Sequence, residues 1–121
     1  MGKILSHIDL RVPDLAAVDA FYRALLPALG FTEEEDIEGW LQFRSPDGSE
    51  FFGITASPGH QANQNRIAFW GESRAHIDRI AGIIQEHGAR NIEGPAPYAD
   101  IYYALFFEDP AGTRLEVTFK G

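Results

Sequence analysis

Residues 5 to 12 read LSHIDLRV and residues 66 to 70 read RIAFW, and these two stretches open the same motif at two places in one chain. In the first, Ile8, Leu10 and Val12 alternate with His7, Asp9 and Arg11. In the second, Ile67 and Phe69 alternate with Arg66, Ala68 and Trp70. A period of two places the apolar residues on one face of a strand and the polar ones on the other. A helical pattern follows each time. Pro13 ends the first strand, Asp14 is placed to cap, and LAAVDAFYRALLPALG carries Leu15, Val18, Tyr22 and Leu25 as one stripe, closed by Pro27 and Gly30. After RIAFW, Ser73 is placed to cap RAHIDRIAGIIQEHG, with a stripe at Ile77, Ile80, Ala81 and Ile84 and a stop at Gly88. A hairpin closes each unit. Trp40 to Phe43 and Glu50 to Thr55 are joined by SPDGS, whose Asp47-Gly48 pair suits a tight turn, while DIYYALFFE and TRLEVTF are joined by DPAG. Between the units, ASPGHQANQN from Ala56 to Asn65 is polar and rich in Gly, Pro and Asn, so it reads as a linker.

The expectation is an α+β fold of two pseudo-symmetric βαβββ modules within a single domain of residues 1–121: module 1 about 4–55, linker 56–65 and module 2 about 66–119. Each sheet has one face for its own helix and a second that needs cover, so two sheets side by side should curl into an incomplete barrel around one cavity. Aligning the two turns sets Asp47-Gly48 against Ala111-Gly112, and hence Phe52 against Glu116, while the first strands set His7 against Arg66. Strand parity then puts Trp70 on the face of Arg66. It puts Phe52 on the face matching Glu116. Only one of Tyr102 and Tyr103 can share that inward face, and Trp40 is a further aromatic candidate for the pocket wall.

The chain has 121 residues, 45% of them hydrophobic, which suffices for one modest core. It contains no cysteine, so disulfides, thiolate metal sites and cysteine nucleophiles are excluded, and a reducing cytoplasm is the expected location. No apolar run approaches the roughly 20 residues of a membrane span, and no leader pattern stands at the start. Ten Lys+Arg against eighteen Asp+Glu give a formal charge of -8, which repels phosphate backbones and anionic membranes. Neither nucleic acid nor membrane is therefore an expected partner. No Ser-His-Asp pattern, P-loop or dinucleotide fingerprint is present, since GESRAHID lacks the glycines. His60 in SPGHQ lies in the linker, and His76 and His87 are expected at surface positions of the second helix.

The strings HIDLRVPDLAAVDAFYRALLPALGF and YYALFFEDPAGTRLEVTF resemble the first strand-helix unit and the closing hairpin of the vicinal oxygen chelate superfamily, which holds glyoxalases, bleomycin resistance proteins and extradiol dioxygenases. The resemblance implies a metal held by side chains from the first and last strands of each half, here His7, Phe52, Arg66 and Glu116. His7 and Glu116 carry groups that bind Zn, Ni, Mn or Fe. A phenyl ring has no lone pair, and a guanidinium does not deprotonate to coordinate a cation. Members that lack a ligand at the place of Phe52 use two histidines and a glutamate, but here the second histidine is replaced by Arg66, for which Glu116 is the nearest anionic partner the repeat offers. Two functions follow. One is a small-molecule-binding protein of the glyoxalase/bleomycin-resistance type with a degenerate metal site, its ligand held among Arg66, Phe52, Trp70, Trp40, Tyr102 and Tyr103. The other is a metal-dependent lyase, isomerase or dioxygenase with His7 and Glu116 as ligands. Either is expected to pair as a homodimer, because half-open sheets leave edges and C2 pairing is the usual solution.

Overall fold

The structure, a computed structural model, describes residues 3 to 121. The period-two stretch at the start is strand β1 (His7–Val12), and the stripe after it is helix α1 (Leu15–Leu29). The Asp14 side chain accepts from the Ala16 backbone N–H at 3.1 Å, as a cap should. Pro27 does not close this helix. It sits inside the last turn, where its missing N–H removes a single helical bond, and the chain stops only at Gly30, whose φ of 115° turns the following Phe31 N–H back to the Leu26 carbonyl at 3.0 Å. Three strands follow: β2 (Glu33–Ile37), β3 (Trp40–Arg44) and β4 (Phe51–Ala56). They complete a sheet of order β1-β4-β3-β2, with β1 parallel to β4 and the other pairs antiparallel. Val18, Phe21, Tyr22, Leu25 and Leu26 of α1 are buried with Leu41, Phe43, Phe52 and Ile54 of the sheet. Each such side chain contributes about 1.5–3 kcal/mol by leaving water.

The second module repeats this construction with β5 (Arg66–Trp70), α2 (Arg74–Glu86), β6 (Arg90–Ala99), β7 (Tyr102–Glu108) and β8 (Arg114–Lys120). Its sheet runs β5-β8-β7-β6, with β5 parallel to β8. The Ser73 hydroxyl caps α2 by accepting from the His76 N–H at 3.0 Å. Ile77, Ile80 and Ile84 are fully buried with Leu105, Leu115 and Val117. The chain enters α2 through Gly71 because a Cβ there would stand 2.7 Å from Ile77 Cγ1, closer than two carbons can pack. The chain thus forms two compact units, one ending at Gln61 and the other starting at Ala62, and each is a βαβββ module whose sheet does not close on itself. No helix among the described residues is long and apolar enough to cross a membrane.

The two hairpins differ by one residue, and this overturns the alignment of Phe52 with Glu116. In the first, the Ser45 N–H bonds the Glu50 carbonyl and the Gly48 N–H bonds Ser45, leaving four residues in the loop. In the second, the Asp109 N–H bonds the Thr113 carbonyl and the Gly112 N–H bonds Asp109, leaving three. Counting from the shared glycine therefore slips the last strand by one position, which reverses every side chain. The ladders give the true equivalence. His7 pairs with Phe51 and Asp9 with Gly53, while Arg66 pairs with Arg114 and Ala68 with Glu116. Gly53 is thus the counterpart of Glu116, and Phe52 that of the core residue Leu115. Phe52 is fully buried beneath α1, its ring 5.8 Å from that of Tyr22 and 6.4 Å from that of Phe31, so it does not share the face of Glu116.

Candidate functional site

The face of the second sheet turned away from α2 is built in rows across the four strands. Arg66, Arg114, Glu108 and Arg90 form one row, and Ala68, Glu116, Phe106 and Glu93 form the next. Trp70, Thr118, Ala104 and Ala96 follow, then Lys120 and Tyr102 at the far end. Opposed residues on neighbouring strands project to the same side, so the polar and aromatic groups of this face are gathered by register alone. An open cavity of about 420 Å³ lies over the first two rows, walled by Arg66, Arg114, Phe106, Tyr98, Glu93 and Glu108.

Glu116 is only 6% exposed, and its carboxylate accepts a short hydrogen bond from the Tyr102 hydroxyl. That bond to an anion, reinforced by burial, pushes the Tyr102 phenol above its ordinary pKa, so it stays protonated and donating. Tyr102 is therefore the tyrosine that shares the face of Glu116. Tyr103 is corrected out of the site: it points to the α2 side, where its hydroxyl donates to Asp78 at 2.6 Å. Arg66 does not pair with Glu116 either. Its guanidinium lies over the Phe106 ring, 4.8 Å from the centroid, and Phe106 meets Tyr98 edge-on at 5.3 Å. Trp70 shares the Arg66 face as its parity requires, 67% exposed and with the Lys120 ammonium 5.5 Å from its ring.

The corresponding face of the first sheet carries His7, Phe51 and Arg44 in one row and Asp9, Gly53, Gln42 and Glu35 in the next. The His7 ring stacks on Phe51 at 4.3 Å, the Ser6 hydroxyl lies 2.7 Å from its Nδ1, and Asp9 stands 3.7 Å from its Nε2. Arg44 covers the other side of Phe51 and pairs with Glu35. Trp40 is on this face with Arg11 6.0 Å from its ring. Gln42 and Trp40 lean over Gly53, where a Cβ would come within 3.0 Å of Gln42 Oε1 and 3.4 Å of the indole.

These donors do not fit the metal that the resemblance implies. Of the four equivalent strand positions, His7 and Glu116 hold ligand groups, while the other two hold the cation of Arg66 and the bare backbone of Gly53. Among the described residues no three His, Asp or Glu side chains gather into a cation-binding group. His76 is also not the surface residue the helical pattern suggested: it is 7% exposed, and its Nδ1 accepts from the Glu72 N–H at 3.0 Å, a structural bond that closes the turn into α2. The cavity residues Arg114, Phe106 and Tyr98 escaped the sequence reading. Arg114 was within reach, because TRLEVTF puts it two residues from Glu116 and so on the same face. Phe106 needed the β7–β8 register, and Tyr98 lies in a Gly- and Pro-rich stretch without periodicity.

Residues 4–117 match the family model of the Glyoxalase/Bleomycin resistance protein/Dioxygenase superfamily. No curated protein matches the chain by sequence. Among solved structures, a glyoxalase/bleomycin resistance protein from Albidiferax ferrireducens T118 is 26% identical with a TM-score of 0.82, covering 97% of this chain and 98% of that one. The genomically encoded fosfomycin resistance protein FosX of Listeria monocytogenes is similar at 22% identity and a TM-score of 0.71, covering 100% of this chain and 94% of its own. FosX of Mesorhizobium loti is 21% identical with a TM-score of 0.69, covering 100% and 95%. The match runs through both modules, and the chain belongs to the glyoxalase/bleomycin resistance protein/dioxygenase superfamily, the vicinal oxygen chelate fold.

Proposed function

We propose that this protein binds a small, partly aromatic molecule without a stoichiometric metal, using the helix-free face of its second module. Arg66 and Glu116 with Tyr102 serve as polar anchors, and Trp70 as an apolar wall. The observation that carries this reading is the composition of the four equivalent positions: an imidazole, a guanidinium, a glycine and a carboxylate already engaged by a phenol. A fixed positive charge at the place of a ligand raises the cost of a divalent cation there. The protein is further proposed to act in the cytoplasm as a homodimer.

Metal analysis on protein purified without a histidine tag tests the reading, with less than a tenth of an equivalent of Zn, Ni, Mn or Fe expected (order of magnitude). Titration calorimetry should show weak metal binding by the native chain. If the family's ligand pattern governs this chain, Arg66→His both removes the repulsive charge and supplies an imidazole, so affinity for Zn or Ni should rise by roughly two orders of magnitude or more. A tightly bound, stoichiometric metal in the native protein would favour the other member of the pair of readings, a metal-dependent lyase, isomerase or dioxygenase with His7 and Glu116 as ligands.

A further inference from the structure

The row at the mouth of the cavity is electrostatically unusual for a chain of charge -8. Arg66 stands directly across the β5–β8 ladder from Arg114, and beyond Glu108 on the same row comes Arg90. The row thus carries three guanidiniums and one carboxylate, while the cavity lining sets Arg66 and Arg114 with Glu108 and, from the next row, Glu93. The Glu108 carboxylate lies towards Arg90, 3.8 Å from its Nη2, and among the described residues neither Arg66 nor Arg114 forms an ion pair. Like charges directly opposed on neighbouring strands are destabilising, and a fold relieves them by moving one away or by admitting a counter-charge. Here both arginines line the same cavity, together with Phe106 and Tyr98.

We infer that this cavity holds the anionic head of a small molecule between Arg66 and Arg114, with the flat apolar body of that molecule lying against the exposed ring of Tyr98. The inference deepens the proposed binding function by naming the class of ligand: an aryl or similarly flat carboxylate, phosphate or phosphonate. Two arginines at opposed positions suit an oxyanion with two or more oxygens, because each guanidinium offers parallel N–H donors. Glu93 and Glu108 on the β6–β7 side limit the ligand to negative charge at one end. The Arg66 guanidinium already lies over the Phe106 ring, 4.8 Å from its centroid, a contact that restrains the side chain and lowers the entropic cost of binding.

Phenylphosphonate, benzoate, neutral benzamide and inorganic phosphate are the probes, titrated into the full chain and followed by amide chemical shifts. Phenylphosphonate and benzoate should bind with shifts centred on β7 and β8, and benzamide roughly tenfold or more weakly, the ratio that a charge-assisted hydrogen bond supplies. Arg66→Gln and Arg114→Gln should each weaken the two anions about tenfold, while Arg79→Gln on α2 should leave them unchanged. Thermal unfolding supplies a second readout on the free protein: Arg114→Gln should raise Tm by roughly 1–3 °C, because the opposed charge is gone. Benzamide binding as tightly as benzoate, or either cavity variant binding anions like the native chain, would overturn the inference. Equal affinity for inorganic phosphate and phenylphosphonate would overturn the aromatic half of it. All titrations are repeated after chelation. Anion binding that survives chelation supports the arginine site even if metal analysis has refuted the metal-free reading, whereas binding lost on chelation assigns the anion to a metal and removes this inference.

Discussion

Tyr102 and Glu116 set one another's protonation. The phenol donates to the carboxylate, and a phenolate in the same place would put two anions in contact at a partly buried site, so the Tyr102 pKa is held above the tyrosine value of about 10. The sign follows from linkage: the contribution of this bond to stability is fully present below the unfolded-state pKa and is lost as pH rises through the higher folded-state value. An ultraviolet titration of phenolate should therefore show at least one tyrosine ionising later than free tyrosine, and Glu116→Gln should return it towards the ordinary value. Tyr103 gives a second late transition for the same reason, its partner being Asp78, and Asp78→Asn should abolish that one alone. Tyr102→Phe leaves a nearly buried carboxylate without its donor, and should cost about 1–3 kcal/mol at neutral pH in a denaturant titration. Should both tyrosines titrate normally in the native protein, the hydrogen bond to Glu116 could not serve as the anchor described for it.

At the level of elements, Phe51 and Phe52 separate the two faces of β4. Phe52 is sealed under α1, and Phe52→Ala should cost about 3–5 kcal/mol through lost burial and the cavity left behind. Phe51 lies half-buried on the opposite face between His7 and Arg44, so Phe51→Ala should cost about 1–2 kcal/mol, the worth of a stacked ring contact with partial burial. Equal costs, read from urea midpoints at constant slope, would mean that β4 is not in the register given by its ladder with β1. The same strand shows what was legible beforehand. β1 and β5 could be read from strict alternation, and α1 and α2 from stripes with caps, because there burial on one face writes its period into the chain. β2 could not: Glu33–Ile37 reads EEEDI, an edge strand with almost nothing to bury and hence no period. β6 could not either, since Gly94, Pro95 and Pro97 interrupt it and its register shifts repeatedly against β7. Parity within one strand is enough to put Trp70 on the face of Arg66, and Asp9 on that of His7, as the ladders have them. Phe52 was misplaced because its position was carried across a turn, and one extra loop residue is invisible to composition yet decisive for direction.

At the scale of the whole molecule, each sheet ends in two edges, and β1 and β5 are edge strands on the parallel side. Neither strand itself contains a lysine or a proline to blunt its edge. Ile4 and Leu5, just before β1, are 94% and 66% exposed, and Trp70 at the end of β5 and Ile101 before β7 are 67% and 61% exposed. Open backbone donors and acceptors beside exposed apolar side chains favour pairing with another strand, and for a homo-oligomer the common closed solution is a two-fold dimer. The opposing effect is charge, since two chains of -8 repel. At an ionic strength near 0.15 M that repulsion is screened over about 8 Å, while apolar burial at roughly 25 cal/mol per Å² is not, so the contact should win. Sedimentation or light scattering at micromolar concentration is expected to give twice the chain mass of 13.5 kDa, with little change as salt is raised above physiological strength. Trp70→Glu and Leu5→Glu together should shift the protein towards monomer without lowering the unfolding midpoint of either module's core, because neither side chain packs inside it. A wild-type monomer at 13.5 kDa would leave these apolar groups and strand edges open to water in the native state. It would then direct attention to a different partner for them than a second copy of the chain.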